Sequence, residues 1–491
     1  MVSTMYTLGM NEYEVAAYAI LIVSIGIYLS RLQSSKKSGI LELISGEKAQ
    51  YKVLALLPQE KTRHLKTPSI STVTFYEGKF PIDQLRNRLR EIVTANPYLL
   101  GKLVRVTPAD VKASTPEHNL CEGVTLIYPR ECKNIGESDY FRVVTDVDIQ
   151  ASKPYEDLVR RVKPFNVPLG KNAIDRDVPL YQVTLFEIEK DKRYCMMVSL
   201  CHTIADGFTF YKLYAMLSTA SGTTVTALDV TRVLRFAEDT KDNLNFGTAL
   251  HELPFVLWGS LRNRLLQPRM TTRVYYINQQ EVEREKEEFL SQSTTTAYST
   301  NNTTATAAAF ISTNDILTAW FYRFTEVTLA FMIANFRGRK PYLSEKIAGN
   351  YQGRILFANK EMYKPATIRG SLETFKCPTG QTYSLKQITE LDLALVTNWA
   401  SFYSDVQFGQ DLKIPNQLQE SEQASQYGTG EGAGECRQVL HLPVIDVSDV
   451  VLRHCLVVFQ ARSDLTGVIL WTRGIPQQRF DREAILRKTA D

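Results

Sequence analysis

The chain has only six histidines and seven cysteines among 491 residues. No two histidines form H-x-x-x-H or H-E-x-x-H, and Cys121, Cys132, Cys195, Cys201, Cys377, Cys436 and Cys455 are never spaced as C-x-x-C. The usual frames for a zinc site or a disulfide scaffold are therefore missing, so the sequence predicts no metal. The scattered thiols read as reduced and mostly buried. No Walker A sequence occurs, and no G-x-G-x-x-G follows a strand, which removes the common markers of nucleotide hydrolysis and dinucleotide redox chemistry. The charge excess is small, +4 from 57 basic and 53 acidic residues, and gives nucleic-acid binding no global support. What is present suits a globular protein: 44% hydrophobic and 22% charged residues supply real cores, and the length fits two domains of about 200 residues each.

One run is unlike the rest. Val15 to Leu29 carries no charge, Glu12 and Glu14 precede it, and Arg31, Lys36 and Lys37 follow. It is shorter than the roughly 20 residues that span a bilayer, but Tyr13, Tyr18, Ser30 and a snorkelling Arg31 extend it. The expectation is a hydrophobic helix over residues 15–30 that anchors the chain in a single pass. The basic residues on its carboxyl-terminal side then put the body in the cytosol, as on an endoplasmic reticulum membrane. An in-plane helix, a targeting sequence or a helix packed on the protein are the alternatives. Residues 1–45 read as anchor and tether, 46–238 as a first domain, 239–270 as a linker and 271–491 as a second domain. Within the linker, Pro254 to Leu266 is amphipathic, suited to packing across both domains or to a membrane surface. Gln292 to Ala309 is low in large apolar residues and predicts a surface loop, as does Gln417 to Gly434.

The most informative segment is Leu200 to Phe208, LCHTIADGF. His202 stands four residues before Asp206, with Gly207 next. An apolar run, Cys195 to Cys201, leads in, and Phe208, Phe210, Tyr211, Leu213, Tyr214 and Leu217 follow at helical spacing. The histidine is thus placed where a buried strand ends and a helix begins, a rigid position from which a side chain can serve as a general base. A core histidine is the plain alternative. Tyr181 to Ile188 and Arg193 to Cys201, joined by a charged turn, predict an antiparallel hairpin.

Three more segments accompany HTIADG in order: STNDILTAWFYR from Ser312, NFRGRKPYLSEKIAGNYQGR from Asn335 and TNWASFYSDVQFG from Thr397. Together they resemble the coenzyme A-dependent acyltransferases known as BAHD, and more broadly the superfamily of chloramphenicol acetyltransferase and condensation domains, over residues 50–485. The resemblance implies an α/β fold of two chloramphenicol-acetyltransferase-like domains, each a mixed sheet with flanking helices, with a tunnel between them. It implies acyl transfer from acyl-coenzyme A to a hydroxyl with no bound cofactor. His202 would be the general base, and Asp206 would hold its loop through Arg337. Gly349 and Asn350 match the family's Gly-Asn pair, and Thr397 and Trp399 match a pair that lines the channel and can donate to an oxyanion. The bland readings are surface positions for Arg337 and Arg339, a core position for Trp399, and a simple helix cap for Ser312 or Thr313. Where the family shows D-F-G-W-G, this chain has Gln407-Phe408-Gly409-Gln410-Asp411. The anchor adds a lipophilic acceptor to the expectation, and the chain is expected to act as a monomer. The alternatives are amide-forming condensation or N-acylation, and a membrane-anchored scaffold that retains the fold without catalysis.

Overall fold

The computed structural model describes residues 40–44, 50–115, 120–132, 136–145, 147–190, 192–220, 222–240, 268–299, 310–378, 393–408, 436–446 and 452–489. The expected anchor at 15–30, the amphipathic stretch 254–266 and residues 409–411 lie outside them. Among the described residues, no helix is long and apolar enough to cross a membrane.

The described residues form fifteen strands, numbered here in chain order, in three sheets. A five-stranded sheet runs β12 (Arg437–Pro443), β2 (Ile70–Glu77), β7 (Arg193–Leu200), β6 (Tyr181–Glu189) and β5 (Phe141–Val144). β6 and β7 make the expected hairpin, with Tyr181 opposite Leu200, and β5 joins β6 in parallel. Residues Tyr194 to Leu200 are all buried, which explains why β7 reads as an unbroken apolar run and not as an alternating one. A seven-stranded sheet runs β10 (Gln352–Phe357), β9 (Leu329–Asn335), β11 (Leu393–Asn398), β13 (His454–Arg462), β14 (Leu465–Arg473), β8 (Met270–Ile277) and β15 (Leu486–Arg487). β11 is parallel to both neighbours and the remaining pairs are antiparallel. Both large sheets are therefore mixed. A small third sheet pairs β1 (Tyr51–Ala55), β4 (Gly123–Pro129) and β3 (Lys102–Val106).

Three features depart from the sequence expectation. β12, from the region read as second domain, adds to the first sheet and sets His441 opposite Thr74. Its His441 ring is buried between Thr74 Oγ1 at 2.9 Å and the Tyr211 hydroxyl at 3.1 Å, so the crossing strand is tied down by polar contacts as well as by its ladder. Ile40 to Ile44, read as tether, forms a short helix whose Ile40 and Ile44 are buried against Val106, Leu120 and Ile127. Of the stretch read as a loop, Gln292 to Ala309, residues 292–299 continue a helix, Gln279–Ser299, and residues 300–309 lie outside the described residues. No Gly or Pro interrupts it, and Arg284 pairs with Glu281 and Glu288 on one face, so the helix started upstream propagates.

Candidate active site

β7 ends at Leu200, five residues of loop follow, and Asp206 caps a helix over Gly207–Ala215. Asp206 Oδ1 accepts from the Thr209 backbone N–H and hydroxyl, both at 3.0 Å. Its Oδ2 accepts from Arg337 Nη1 at 2.8 Å and from the Tyr351 backbone N–H at 2.9 Å. Burial pushes this carboxyl up, but the Arg337 guanidinium and the donated hydrogen bonds outweigh it and hold Asp206 below the usual carboxylate range. Arg337 is itself fully engaged: Nε donates to Ile347 O at 2.8 Å, Nη2 to Gly349 O at 2.7 Å, and the guanidinium lies over the rings of Phe208 and Tyr351. Of the two candidate arginines, Arg337 is buried in the site and Arg339 is exposed.

His202 sits in the loop, partly exposed, and its Nδ1 is 3.1 Å from Asn350 Oδ1. The amide's orientation follows from its other contacts. Asn350 Nδ2 faces three acceptors, Glu60 Oε1 at 3.0 Å, His202 O at 2.9 Å and Thr203 O at 3.3 Å. Reversing it would set an amide oxygen against a carboxylate and two carbonyls. Oδ1 therefore points at the imidazole, Nδ1 carries the proton and donates, and Nε2 keeps its lone pair. Burial lowers the His202 pKa, and the further lowering by the Arg63 charge adds to it. Asp206, Asn350 and a backbone hydrogen bond oppose the shift without cancelling it. The ring is neutral at pH 7, the form a base needs.

Glu60 and Arg232 are the residues that sequence reasoning missed. Glu60 is fully buried; its Oε1 accepts from both nitrogens of Asn350, and its Oε2 from Arg232 Nε at 2.8 Å and the Leu57 backbone at 2.9 Å. Arg232 spends its other donors on the carbonyls of Val230, Ala348 and Ile204. A second buried ion pair thus stands behind Asn350. Gly349 separates the two pairs: at φ +122° it adopts a backbone that favours glycine, and a Cβ there would lie 2.7 Å from Arg232 Cζ. Its close approach is to this arginine. Gly207 needs no such freedom, because its φ is ordinary and an added Cβ would meet the Trp399 indole at a normal 3.5 Å.

Trp399, 9% exposed, packs on Gly207 and Tyr211 beside the motif helix. Thr397 is two residues back on β11, and among the described residues no hydrogen bond joins it to His202. Ser312 caps the helix Thr313–Thr325 in a capping box with Asp315, which pairs with Arg369. Gln407 O accepts from Thr219 N and Ser218 Oγ, and Phe408 packs on Phe80 and Tyr76, pinning that segment to the first sheet. All seven cysteines are free.

No family model matches the sequence, and no curated protein shows significant similarity to it. Several solved structures are similar at low identity. F. sporotrichioides TRI101 complexed with coenzyme A and T-2 is 12% identical over 87% of this chain and 96% of its own, with a TM-score of 0.46. The condensation domain from Monacolin K polyketide synthase MokA is 11% identical over 86% and 93%, with a TM-score of 0.47. Polyketide synthase associated protein 5 from Mycobacterium tuberculosis is 12% identical over 88% and 95%, also with a TM-score of 0.47.

Proposed function

We propose that this chain is an acyltransferase that moves an acyl group from acyl-coenzyme A to a hydroxyl, with His202 as the general base. The observation that carries the reading is the tautomer of His202: Nδ1 is committed to Asn350, so Nε2 is the atom free to take a proton. Nε2 would take it from the acceptor hydroxyl as that oxygen attacks the thioester carbonyl. When the tetrahedral intermediate collapses, the C–S bond breaks and the same proton passes to the departing thiolate. A base so placed contributes about 10²–10⁴-fold, and no acyl-enzyme is needed. The oxyanion requires a preorganised donor, for which the Trp399 indole beside Gly207 and the Thr397 hydroxyl are the candidates; losing such a donor costs roughly 3 kcal/mol of barrier. Asp206 relays no proton. Its carboxylate has four hydrogen bonds already and holds the loop.

The acceptor proposed is lipophilic, because the uncharged run Val15 to Leu29 would tether the body to a membrane, with the body in the cytosol. Coenzyme A thiol release from acetyl- to oleoyl-coenzyme A, measured with a panel of long-chain alcohols, tests the reaction. His202→Ala should abolish release while preserving the unfolding transition; a variant that keeps the full rate would overturn the assignment. Fractionation of the full chain against one lacking residues 1–39 tests the tether, and equal membrane recovery of both would remove it.

A further inference from the structure

One short segment, residues 59–64, reaches His202 in two ways. Gln59 Nε2 donates to Asn350 O at 3.2 Å, and Glu60 orients the Asn350 amide whose oxygen accepts from His202 Nδ1. Four residues further on, His64 lays its ring against His202, with centroids 4.8 Å apart and planes 12° from parallel. The two residues are tied through the main chain as well, since the hydroxyl of Thr203, next to His202, donates to His64 O at 3.2 Å. His64 itself is buried, 3% exposed.

The stack supplies what the hydrogen bond to Asn350 leaves undone. That bond fixes one edge of the imidazole, about which the ring can still pivot, whereas a base must aim its lone pair to within about 10–20°. A flat group over the ring face removes the pivot. The clamping ring is held in its turn, because Arg63 Nε lies 3.4 Å from His64 Nε2. A guanidinium only donates, so Nε2 accepts and the His64 proton lies on Nδ1, which is buried without a hydrogen-bond partner. A phenylalanine would cover the same face without that unmet donor. What the imidazole adds is Nε2, the hook on Arg63. Burial first, and then the His202 and Arg63 charges, hold His64 well below the ordinary histidine range. It therefore stays neutral when His202 takes up a proton, and it offers the imidazolium a π face and no second charge. We infer that His64 is a positioning residue for His202, its ring clamping the face of the base so that Nε2 stays aimed at the acceptor hydroxyl. What Nε2 does there rests on the acyl-transfer reading above; the clamp rests on the stacked rings alone.

The experiment compares His64→Leu with His64→Phe in the full chain, by coenzyme A thiol release and by ¹⁵N-histidine spectra. Leucine fills the space without a plane, so kcat should fall by about tenfold or more, towards the hundredfold that a displacement of about 1 Å costs, while KM stays within about threefold. Phenylalanine keeps the plane and loses only the edge contact to Arg63, so its kcat should remain within about threefold of wild type, a rescue that separates aiming from packing. A leucine variant as fast as wild type, or a phenylalanine variant no faster than leucine, would overturn the clamp. So would a loss confined to KM, which would place His64 in substrate binding. The spectra need no turnover: exchange of the His202 Nδ1 proton with water should quicken by about tenfold in His64→Leu and little in His64→Phe, as the ring gains freedom to leave Asn350. Equal exchange in wild type and both variants would also overturn the clamp. A fully active His202→Ala would remove the acyl-transfer reading and leave the clamp to be judged by this exchange alone.

Discussion

Replacing Glu60 with Gln tests whether the second ion pair supports the site. Glu60 offers two oxygens, and each accepts two N–H groups, Oε1 from Asn350 N and Nδ2, Oε2 from Arg232 Nε and Leu57 N. A glutamine has one oxygen. Whichever way its amide turns, two buried N–H donors then face an NH₂ group, and Arg232 loses the only carboxylate that it touches among the described residues. An orphaned donor costs about 1–3 kcal/mol, and breaking a buried ion pair by neutralising one partner costs about 3–5 kcal/mol. These describe overlapping losses, and Arg232 keeps its three carbonyl acceptors. The expected destabilisation is therefore about 3–5 kcal/mol in all. Urea unfolding measures it as a shift in midpoint at unchanged m. Arg232→Met should cost less in the Glu60→Gln background than in wild type, because the cation that it removes is already unpaired. A loss below about 1 kcal/mol, or strict additivity of the two changes, would refute the reasoning.

Asn350→Ala removes the acceptor at His202 Nδ1, so ¹⁵N-histidine spectra should lose the single Nδ1–H form of His202 and the rate should fall by about tenfold or more, within the 10²–10⁴ that a general base supplies; an unchanged tautomer would contradict the assignment. Because burial lowers the His202 pKa, the neutral base persists to lower pH than in a free imidazole, and the acid limb of kcat/KM should have its midpoint below about 6.5; a midpoint above that value would count against it. Asp206 has a folded pKa below its unfolded value, so its stabilisation is complete above about pH 4 and is lost as the pH falls through the folded value. Urea midpoints should accordingly drop more steeply with acid in wild type than in Asp206→Asn, and parallel slopes would refute this. Gly349→Ala, at φ +122° and 2.7 Å from Arg232 Cζ, should cost about 3 kcal/mol or more. Gly207→Ala should stay within about 0.5 kcal/mol, and reversal of that order in denaturation would overturn the steric account.

Much of the scaffold was legible because its signals are local. The β6–β7 hairpin follows from two apolar runs around a charged turn, and the helix after Asp206 from its periodicity. The Ser312 cap follows from a serine three residues before an aspartate. Asp206 as a helix cap carries a local signal as well, since an aspartate before a periodic apolar run is an N-cap pattern. Glu60 carried no signal at all. In Pro58-Gln59-Glu60-Lys61 it reads as a solvated charge, and its partners Arg232 and Asn350 lie 172 and 290 residues away.

Local patterns along the chain mark the residues suited to chemistry and the place where the chain bends to present them: a lone H-x-x-x-D-G between a buried strand and a helix, and an arginine to answer the aspartate. Which nitrogen of that histidine carries the proton follows only from the folded chain. Its tautomer depends on an amide whose direction is set by a buried carboxylate, and its neighbourhood on the His64 ring stacked against it. β12 joins the first sheet from the far end of the chain for a related reason. Contacts between distant segments are chosen by complementary burial and charge once the chain has folded, and they leave no period in the sequence from which to read them.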